Sequence, residues 1–253
     1  MSEFYAYDHD AAAAFADNVS LDFDGANDYL TNALLCTQGT PKTSGSVSVW
    51  VKLDSMSANG FIAHWAAESG TNDQILLLWN NGSGVIRGNV KFGGTANTVD
   101  SGSGLENDGN WHHVVFTWMS GSKTSASNVA KIYIDGSETD SDAIGNTWGN
   151  AEDPAFFSIG RNEIQDNSYF NGHMNDYAIF DDALTSSEVS AIYNSGSPKD
   201  ESDHSGLVAY YRFEGYSDND TVIASDFPSE GGESYQLTIN NSTNLDSSDT
   251  PSG

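Results

Sequence analysis

The stretch that decides the fold is Asn110-Trp111-His112-His113-Val114-Val115-Phe116-Thr117, followed by Lys131-Ile132-Tyr133-Ile134-Asp135-Gly136. Both segments are rich in β-branched and aromatic residues, which favour β-strands. The turn sequence Asn107-Asp108-Gly109-Asn110 precedes the first segment, and Asn, Asp and Gly are the residues that tight turns favour. The two segments therefore predict the strands Trp111–Met119 and Ala130–Asp135.

The same signal recurs along most of the chain. Short segments of alternating apolar and polar residues are separated by clusters of Gly, Asn, Asp and Ser, which is the pattern of a β-sandwich or jelly roll. The further strands predicted in this way are Ser20–Phe23, Tyr29–Leu30, Gly45–Lys52, Gly60–His64, Gln74–Trp79, Val85–Phe92, Phe156–Ile159 and Gly172–Phe180. The predicted fold class is all-β, a two-sheet antiparallel jelly-roll sandwich.

One segment, Leu184–Tyr193, predicts a short helix lying on the sandwich. Thr185 followed three residues later by Glu188 forms a capping box, and the apolar residues after it share one helical face.

The sequence predicts one domain with an extension at each end. Residues 1–18 are expected to form an N-terminal arm, residues 19–245 the jelly-roll domain with two or three late strands, and residues 246–253 a flexible tail. Cys36 is the only cysteine, so the chain has neither an intrachain disulfide nor a cysteine-based metal cluster.

The charge of the chain restricts its partners. Its 36 acidic and 9 basic residues give a formal net charge of -27. Nucleic acids and anionic membranes are bound through clustered Lys and Arg, so both are excluded as expected partners. An acidic coat is tolerated best where salt screens it, which predicts a marine or hypersaline, halophilic setting.

Four segments, taken in order over residues 20–194, resemble the LamG-like jelly rolls of the concanavalin A-like lectin/glucanase superfamily. The first two are Ser20-Leu21-Asp22-Phe23-Asp24-Gly25-Ala26-Asn27-Asp28-Tyr29 and Ser46-Val47-Ser48-Val49-Trp50-Val51-Lys52. The third is the opening pair of segments quoted above. The fourth runs from Ile159-Gly160-Arg161 through Phe170-Asn171-Gly172 to Phe180 and Ala183-Leu184. The resemblance implies the sandwich fold, which hosts lectins, glycosidases, adhesion modules and virion parts.

A shorter likeness concerns the end of the chain. Tyr193–Pro198 together with Leu207–Phe213 resembles a segment that follows such domains in structural proteins of tailed viruses. The leading hypothesis is therefore a homo-oligomeric virion surface component, in the capsid or tail, that contacts other virion proteins and host glycans. The alternative is a secreted or cell-surface lectin-like module, and a polysaccharide-degrading enzyme is the third hypothesis.

The sequence argues against an enzyme. Glycoside hydrolysis needs two carboxylates across a concave face, and the spacings that the related glucanases use, Glu-x-Asp-x-x-Glu and Glu-x-Asp-x-Glu, do not occur here. The adjacent His112 and His113 point to opposite sides of a strand, and a packed structural role is expected for them.

Calcium is the expected cofactor, because oxygen ligands are abundant and the matching positions of the family often hold a structural ion. Asp24 and Asp28 flank the Gly25 turn, and Asn175 or Asp176 could close the site if the ends of the sandwich meet. The alternative interpretation is that these residues are solvated or cap turns.

Two loop aromatics are the expected carbohydrate-binding residues. Trp148 and Tyr169 lie in loops rich in polar residues, the combination that sugar binding needs. Trp50 and Trp111 lie in alternating strands and are expected in the core.

Overall fold

The structure is a computed structural model. It describes residues 19–37, 43–55, 57–67, 73–120, 128–145, 154–214, 220, 222–223, 225, 235–240, 244–246 and 249–251. The expected N-terminal arm (1–18) and Trp148 lie outside the described residues.

The described residues form two β-sheets and two helices. Sheet A consists of β1 (Ser20–Asp24), β3 (Ser44–Leu53), β8 (His112–Met119), β9 (Val129–Ile134), β10 (Ser137–Ala143), β12 (Asn171–Phe180), β13 (Leu207–Tyr211) and β16 (Asn244–Asp246). Sheet B consists of β2 (Tyr29–Thr31), β4 (Gly60–Ala67), β5 (Gln74–Asn80), β6 (Val85–Phe92), β7 (Thr95–Asp100), β11 (Pro154–Ile159), β14 (Val222–Ile223) and β15 (Leu237–Asn240). The helices are α1 (Ala33–Thr37) and α2 (Ser186–Tyr193).

The strand order confirms the predicted antiparallel jelly-roll sandwich. Sheet A runs β10-β9-β8-β3-β12-β1-β16, with β13 beside β12, and sheet B runs β14-β15-β2-β11-β4-β5-β6-β7. All ten strands predicted from the sequence are present. Among the described residues, no helix is long and apolar enough to cross a membrane.

The core lies between the two sheets and contains many large aromatic side chains. The ring of Trp65 in sheet B contacts Trp118 in sheet A, with centroids 6.5 Å apart. Gly88 of β6 faces Phe116 of the other sheet, and a Cβ at position 88 would collide with the Phe116 ring. A glycine at this point therefore makes room for the large side chain opposite.

A second apolar cluster covers the outer face of sheet A. Val189 and Ile192 of α2 pack there against strands of the sheet. The predicted capping box is confirmed, because the Thr185 hydroxyl accepts a hydrogen bond from the Glu188 N–H and the Glu188 carboxylate accepts one from the Thr185 N–H. Helix α2 therefore holds its place through burial of one face and a satisfied N-terminus.

The described residues include four late strands, β13–β16, where two or three were expected. Two other strands, β7 and β10, were not predicted, and both lie at a sheet edge. Every residue of β10 is exposed, so its sequence carries no alternation of apolar and polar residues. Strand β7 approaches β10, where the Asp100 N–H donates to Asp140 Oδ2 and the Asn97 amide donates to the Ala143 carbonyl. The two edges close one side of the sandwich, and their acidic side chains hinder pairing with another chain.

More of the C-terminal residues belong to the fold than the sequence indicated. Residues 246–253 were expected to be a flexible tail, whereas Asp246 pairs with Ser20 and the Ser20 hydroxyl donates to the Asp249 carbonyl at 2.7 Å. The Asp249 carboxylate accepts hydrogen bonds from Lys52 Nζ at 2.6 Å and Trp111 Nε1 at 2.8 Å. Trp111 was expected in the core, but it is half-buried beneath this segment.

Asp249 should contribute pH-dependent stability. Burial raises its pKa, but the hydrogen bonds from Lys52 and Trp111 outweigh burial, and the pKa lies below its ordinary value. The contribution is therefore present above the unfolded-state pKa of about 4 and is lost as the pH falls through the lower folded-state pKa. We expect Asp249→Ala to lower the free energy of unfolding by about 1–2 kcal/mol near neutral pH and by less in acid.

Denaturant unfolding of wild type and variant at about pH 7 and about pH 3 measures this difference. Asp203→Ala removes an exposed acid and is the control, with no change expected. An Asp249→Ala effect of equal size at both pH values would contradict the assignment.

Candidate functional site

An open groove lies at one end of the sandwich, where three loops meet. These are the turn after β1, the loop after β3 and the residues that lead into β12. The groove encloses about 270 Å³ and is lined by Asp24, Gly25, Ser55, Ser57, Ala58, Ser168, Tyr169 and Asn171. We call it the end groove.

The entry of β12 into sheet A brings these loops together. The Asn171 side-chain amide donates to the Ser55 carbonyl at 3.0 Å, and the Asn171 carbonyl accepts from the Asp54 N–H at 3.2 Å. The next residue, Gly172, has φ 134°, and a Cβ there would collide with the Lys52 carbonyl oxygen. Only glycine allows this close approach of the β3 and β12 backbones.

The turn after β1 places a carboxylate at the rim of the end groove. Asp24 Oδ1 accepts hydrogen bonds from the N–H groups of Ala26 at 2.8 Å and Asn27 at 3.3 Å. The buried Asp28 carboxylate accepts from the Asp24 N–H at 3.1 Å. Gly25 has φ 72° and lies so close to Asn171 that a Cβ would stand 2.8 Å from the Asn171 Cβ. The turn is therefore rigid, while the Asp24 side chain stays exposed.

Tyr169 forms the aromatic wall of the end groove and is fixed by a closed set of contacts. Its hydroxyl donates to Asp166 Oδ1 at 3.0 Å, and Asp166 pairs with Arg161 at 2.5 Å. The Arg161 guanidinium lies over the Tyr29 ring, 3.5 Å from its centroid, and the Tyr29 and Tyr169 rings are 6.4 Å apart. These contacts hold the Tyr169 ring in one orientation before any ligand arrives.

A second depression lies on the other side of Tyr29. It encloses about 290 Å³ and is lined by Tyr29, Thr31, Asn32, Ala33, Cys36, Ala155, Phe156, Phe157, Arg161, Glu163 and Asn240. We call it the side groove. Burial raises the pKa of Glu163, although Arg161 opposes the shift, and burial raises the pKa of the Cys36 thiol to about 12. Cys36 therefore lines the side groove as a neutral, unreactive thiol.

The structure brings two of the predicted site residues together. Asp24, expected as a metal ligand, and Tyr169, expected as a sugar platform, line the same groove. Arg161, which holds Tyr169 through Asp166, was not singled out as a site residue. The signal for it was its place in the Ile159-Gly160-Arg161 motif, because arginine is the side chain suited to stacking and bidentate pairing at once.

Asn175 and Asp176 lie away from the end groove. Asp24 pairs with Asn171, whereas Asn175 and Asp176 lie further along β12, at a β-bulge. There the Asn175 side chain accepts from the Asp176 N–H, and Asp176 accepts from the Tyr210 hydroxyl at 2.7 Å. Asp176 has φ 46°, a left-handed conformation that Asp tolerates. The bulge explains why this polar pair interrupts a buried strand.

The two adjacent histidines have structural partners, as the sequence indicated. His112 lies between Asp108 and Asp135. His113 is fully buried with Nε2 2.9 Å from Ser48 Oγ, and burial lowers its pKa to about 4. His113 is therefore uncharged near neutral pH and lies in the packed layer under α2.

The chain belongs to the Laminin_G_3 family, described as the concanavalin A-like lectin/glucanases superfamily, which matches residues 24–190. Among curated proteins, none matches this sequence.

Several solved structures are similar to this chain in fold. A putative carbohydrate binding protein from Bacteroides ovatus has a TM-score of 0.64 at 20% identity over 93% of this chain, which spans 61% of that protein. The Ruminococcus gnavus IT-sialidase CBM40 bound to α2,3 sialyllactose has a TM-score of 0.51 at 12% identity, with 70% and 100% of the two chains covered. Domain 4 of AbnA, a GH43 extracellular arabinanase from Geobacillus stearothermophilus, in complex with arabinotriose, has a TM-score of 0.51 at 21% identity, with 69% and 76% covered.

The four residues expected to bind calcium do not come together as one site. In the part of the chain that the structure describes, no group of three or more His, Cys, Asp or Glu side chains is placed to hold a metal ion. The Asp24 and Asp28 carboxylates accept backbone hydrogen bonds within their own turn. Calcium binding by these two residues stays a prediction.

Chelation tests that prediction. An ion held by Asp24 and Asp28 is a ligand of the folded state, so EDTA should lower the melting temperature by several degrees, and added calcium should restore it. If the melting temperature does not change, the two carboxylates only close the turn.

Proposed function

We propose that this chain is a non-catalytic carbohydrate-binding module and that the end groove receives the sugar. The observation that carries the proposal is the pairing of a fixed aromatic ring, Tyr169, with the exposed Asp24 carboxylate and the Asn171 amide in one open groove. These are the groups that sugar recognition needs.

Each group has a chemical role in the proposed complex. The face of the Tyr169 ring packs against the C–H groups of a pyranose or furanose ring. The Asp24 carboxylate accepts hydrogen bonds from sugar hydroxyls, and charge-assisted bonds of this kind are the stronger ones. Because Tyr169 is already held by Asp166 and Tyr29, little conformational entropy is lost on binding.

The solved structures support the proposal to the extent that their fold serves this purpose elsewhere. Relatives in fold include a putative carbohydrate binding protein and modules solved with sialyllactose and arabinotriose. Carbohydrate binding by a non-enzymatic module of this fold, at a surface or outside the cell, is therefore consistent with the groove.

The proposal that the module is non-catalytic rests on the number of carboxylates that line each groove. Glycoside hydrolysis needs two carboxyl groups facing one sugar. Of the described residues, Asp24 is the one acid that lines the end groove, and Glu163 is the one that lines the side groove. Glu163 is also paired with Arg161 at 2.8 Å.

The finer proposal is that the chain is displayed, as a homo-oligomer, on the surface of a tailed virus from salty water. It rests on the resemblance of Tyr193–Pro198 and Leu207–Phe213 to tailed-virus proteins and on the net charge of -27. Within that segment, Leu207–Tyr211 is strand β13 and pairs with β12.

Removal of the Tyr169 ring should weaken sugar binding. A neutral oligosaccharide that binds is first identified on a glycan array. Isothermal titration should then show that Tyr169→Ala lowers the affinity by up to about tenfold, which corresponds to about 1.4 kcal/mol. Tyr169→Phe keeps the ring and is the matched control, with most of the affinity retained. Equal affinity of Tyr169→Ala and wild type would contradict the proposed groove.

The same titration tests Trp148, which lies outside the described residues. If the sugar site extends to that loop, Trp148→Ala should also weaken binding, and an unchanged affinity would confine the site to the end groove.

The virion proposal predicts that the chain is a stoichiometric component of purified particles. Mass spectrometry of intact particles checks this. Its recovery only from host cell surfaces or culture medium would favour the secreted lectin-like alternative.

A further inference from the structure

We propose that the end groove selects neutral glycans and discriminates against sugars that carry carboxylate or sulfate groups. This inference rests on the proposed function and names the chemical class of its ligand. It follows from the charges that line the end groove and the adjacent side groove.

None of the described residues that line the end groove carries a positive charge. Asp24 is the charged side chain among its lining residues, and the others are neutral. The Asp24 carboxylate is exposed at the rim, so a bound acidic sugar would lie against a like charge.

Arg161 is the nearest candidate for an anion-binding cation, but its charge is already used. Its guanidinium pairs with Glu163 at 2.8 Å and with Asp166 at 2.5 Å, and it stacks on Tyr29. Arg161, Glu163 and Asp166 together carry more negative than positive charge. An anion that took the place of Asp166 on Arg161 would also release the Tyr169 hydroxyl from its partner.

The other described Lys and Arg residues do not line the end groove. Of the described Lys and Arg residues, Arg161 alone lines either groove. Lys52 pairs with Asp249, Arg87 with Asp100 and Lys131 with Glu138. Within the lining of the end groove, the charge of Asp24 is therefore not offset by a Lys or Arg side chain.

Neutral sugars meet no such obstacle. Their hydroxyls can donate to Asp24, and the amide and hydroxyl groups of the groove can serve as donors or acceptors. For an acidic sugar, one added charge about 4 Å from Asp24 in water costs roughly fivefold in affinity, and more where water is excluded.

Matched sugar pairs test the inference with the full chain. Galactotriose is compared with trigalacturonic acid, and lactose with sialyllactose, by isothermal titration at low ionic strength, where screening is weak. We expect at least one neutral sugar to bind and its acidic counterpart to bind about tenfold more weakly or worse.

Asp24→Asn identifies the source of the discrimination. Asparagine keeps the Oδ1 acceptor that closes the turn but removes the charge, so the preference for the neutral sugar should fall by about threefold or more. Asp142→Asn is the control, because it removes an equal charge from exposed β10, which lies five strand positions from β1 in sheet A.

The possible outcomes distinguish failure of the charge selection from failure of the proposed sugar binding. If an acidic sugar binds as tightly as its neutral counterpart and Tyr169→Ala weakens both, sugar binding stands and the charge selection is overturned. If Asp142→Asn changes the preference as much as Asp24→Asn, selection by the groove is likewise overturned. If none of the paired sugars binds and no sugar on a broad glycan array binds, the proposed function itself fails.

Discussion

The site depends on one close backbone contact, the packing of Gly172 against the carbonyl of Lys52. At this point β12 enters sheet A between β1 and β3, and a residue with a Cβ could not follow the same path. The contact fixes Asn171, whose side chain and carbonyl hold the loop after β3. The end groove is therefore a consequence of how the central strand begins.

The sequence predicted the fold well because most strands have one face buried in the core. Alternation in Gln74–Asn80 or Val85–Phe92 reports that burial directly. It fails for β10, which has no buried face, and for the C-terminal residues, which are held by polar contacts of Asp249. Those contacts join residues far apart in the sequence, so no local sequence pattern predicts them.

The site was predicted only in part, for a similar reason. Loop position and residue type were sufficient to single out Tyr169 and Asp24, but not to show that both line one groove. Asn175 and Asp176 were expected to close the calcium site if the ends of the sandwich met. They lie instead at a β-bulge, where the Asn175 side chain accepts from the Asp176 N–H and Asp176 accepts from the Tyr210 hydroxyl.

Polar and charged groups have different roles in different parts of the molecule. The buried polar groups around His113 lie in a packed layer where the His113 ring stacks on Tyr193 of α2, while Tyr169 and its polar neighbours line the open end groove. The acidic coat argues against nucleic acid as a partner, and around the end groove the same charge is the basis of the proposed preference for neutral glycans. The fold, the fixed Tyr169 ring and the local charge together support the end groove as the proposed binding surface.

The most direct measurement of the central claim is a map of the binding surface by amide chemical shifts in the isotope-labelled chain. On titration with a neutral oligosaccharide that binds, the account predicts that the largest shifts fall on Asp24–Gly25, Ser55, Ser57–Ala58 and Ser168–Asn171. Shifts that cluster on α2, on β10 or on any other surface away from these loops would contradict it.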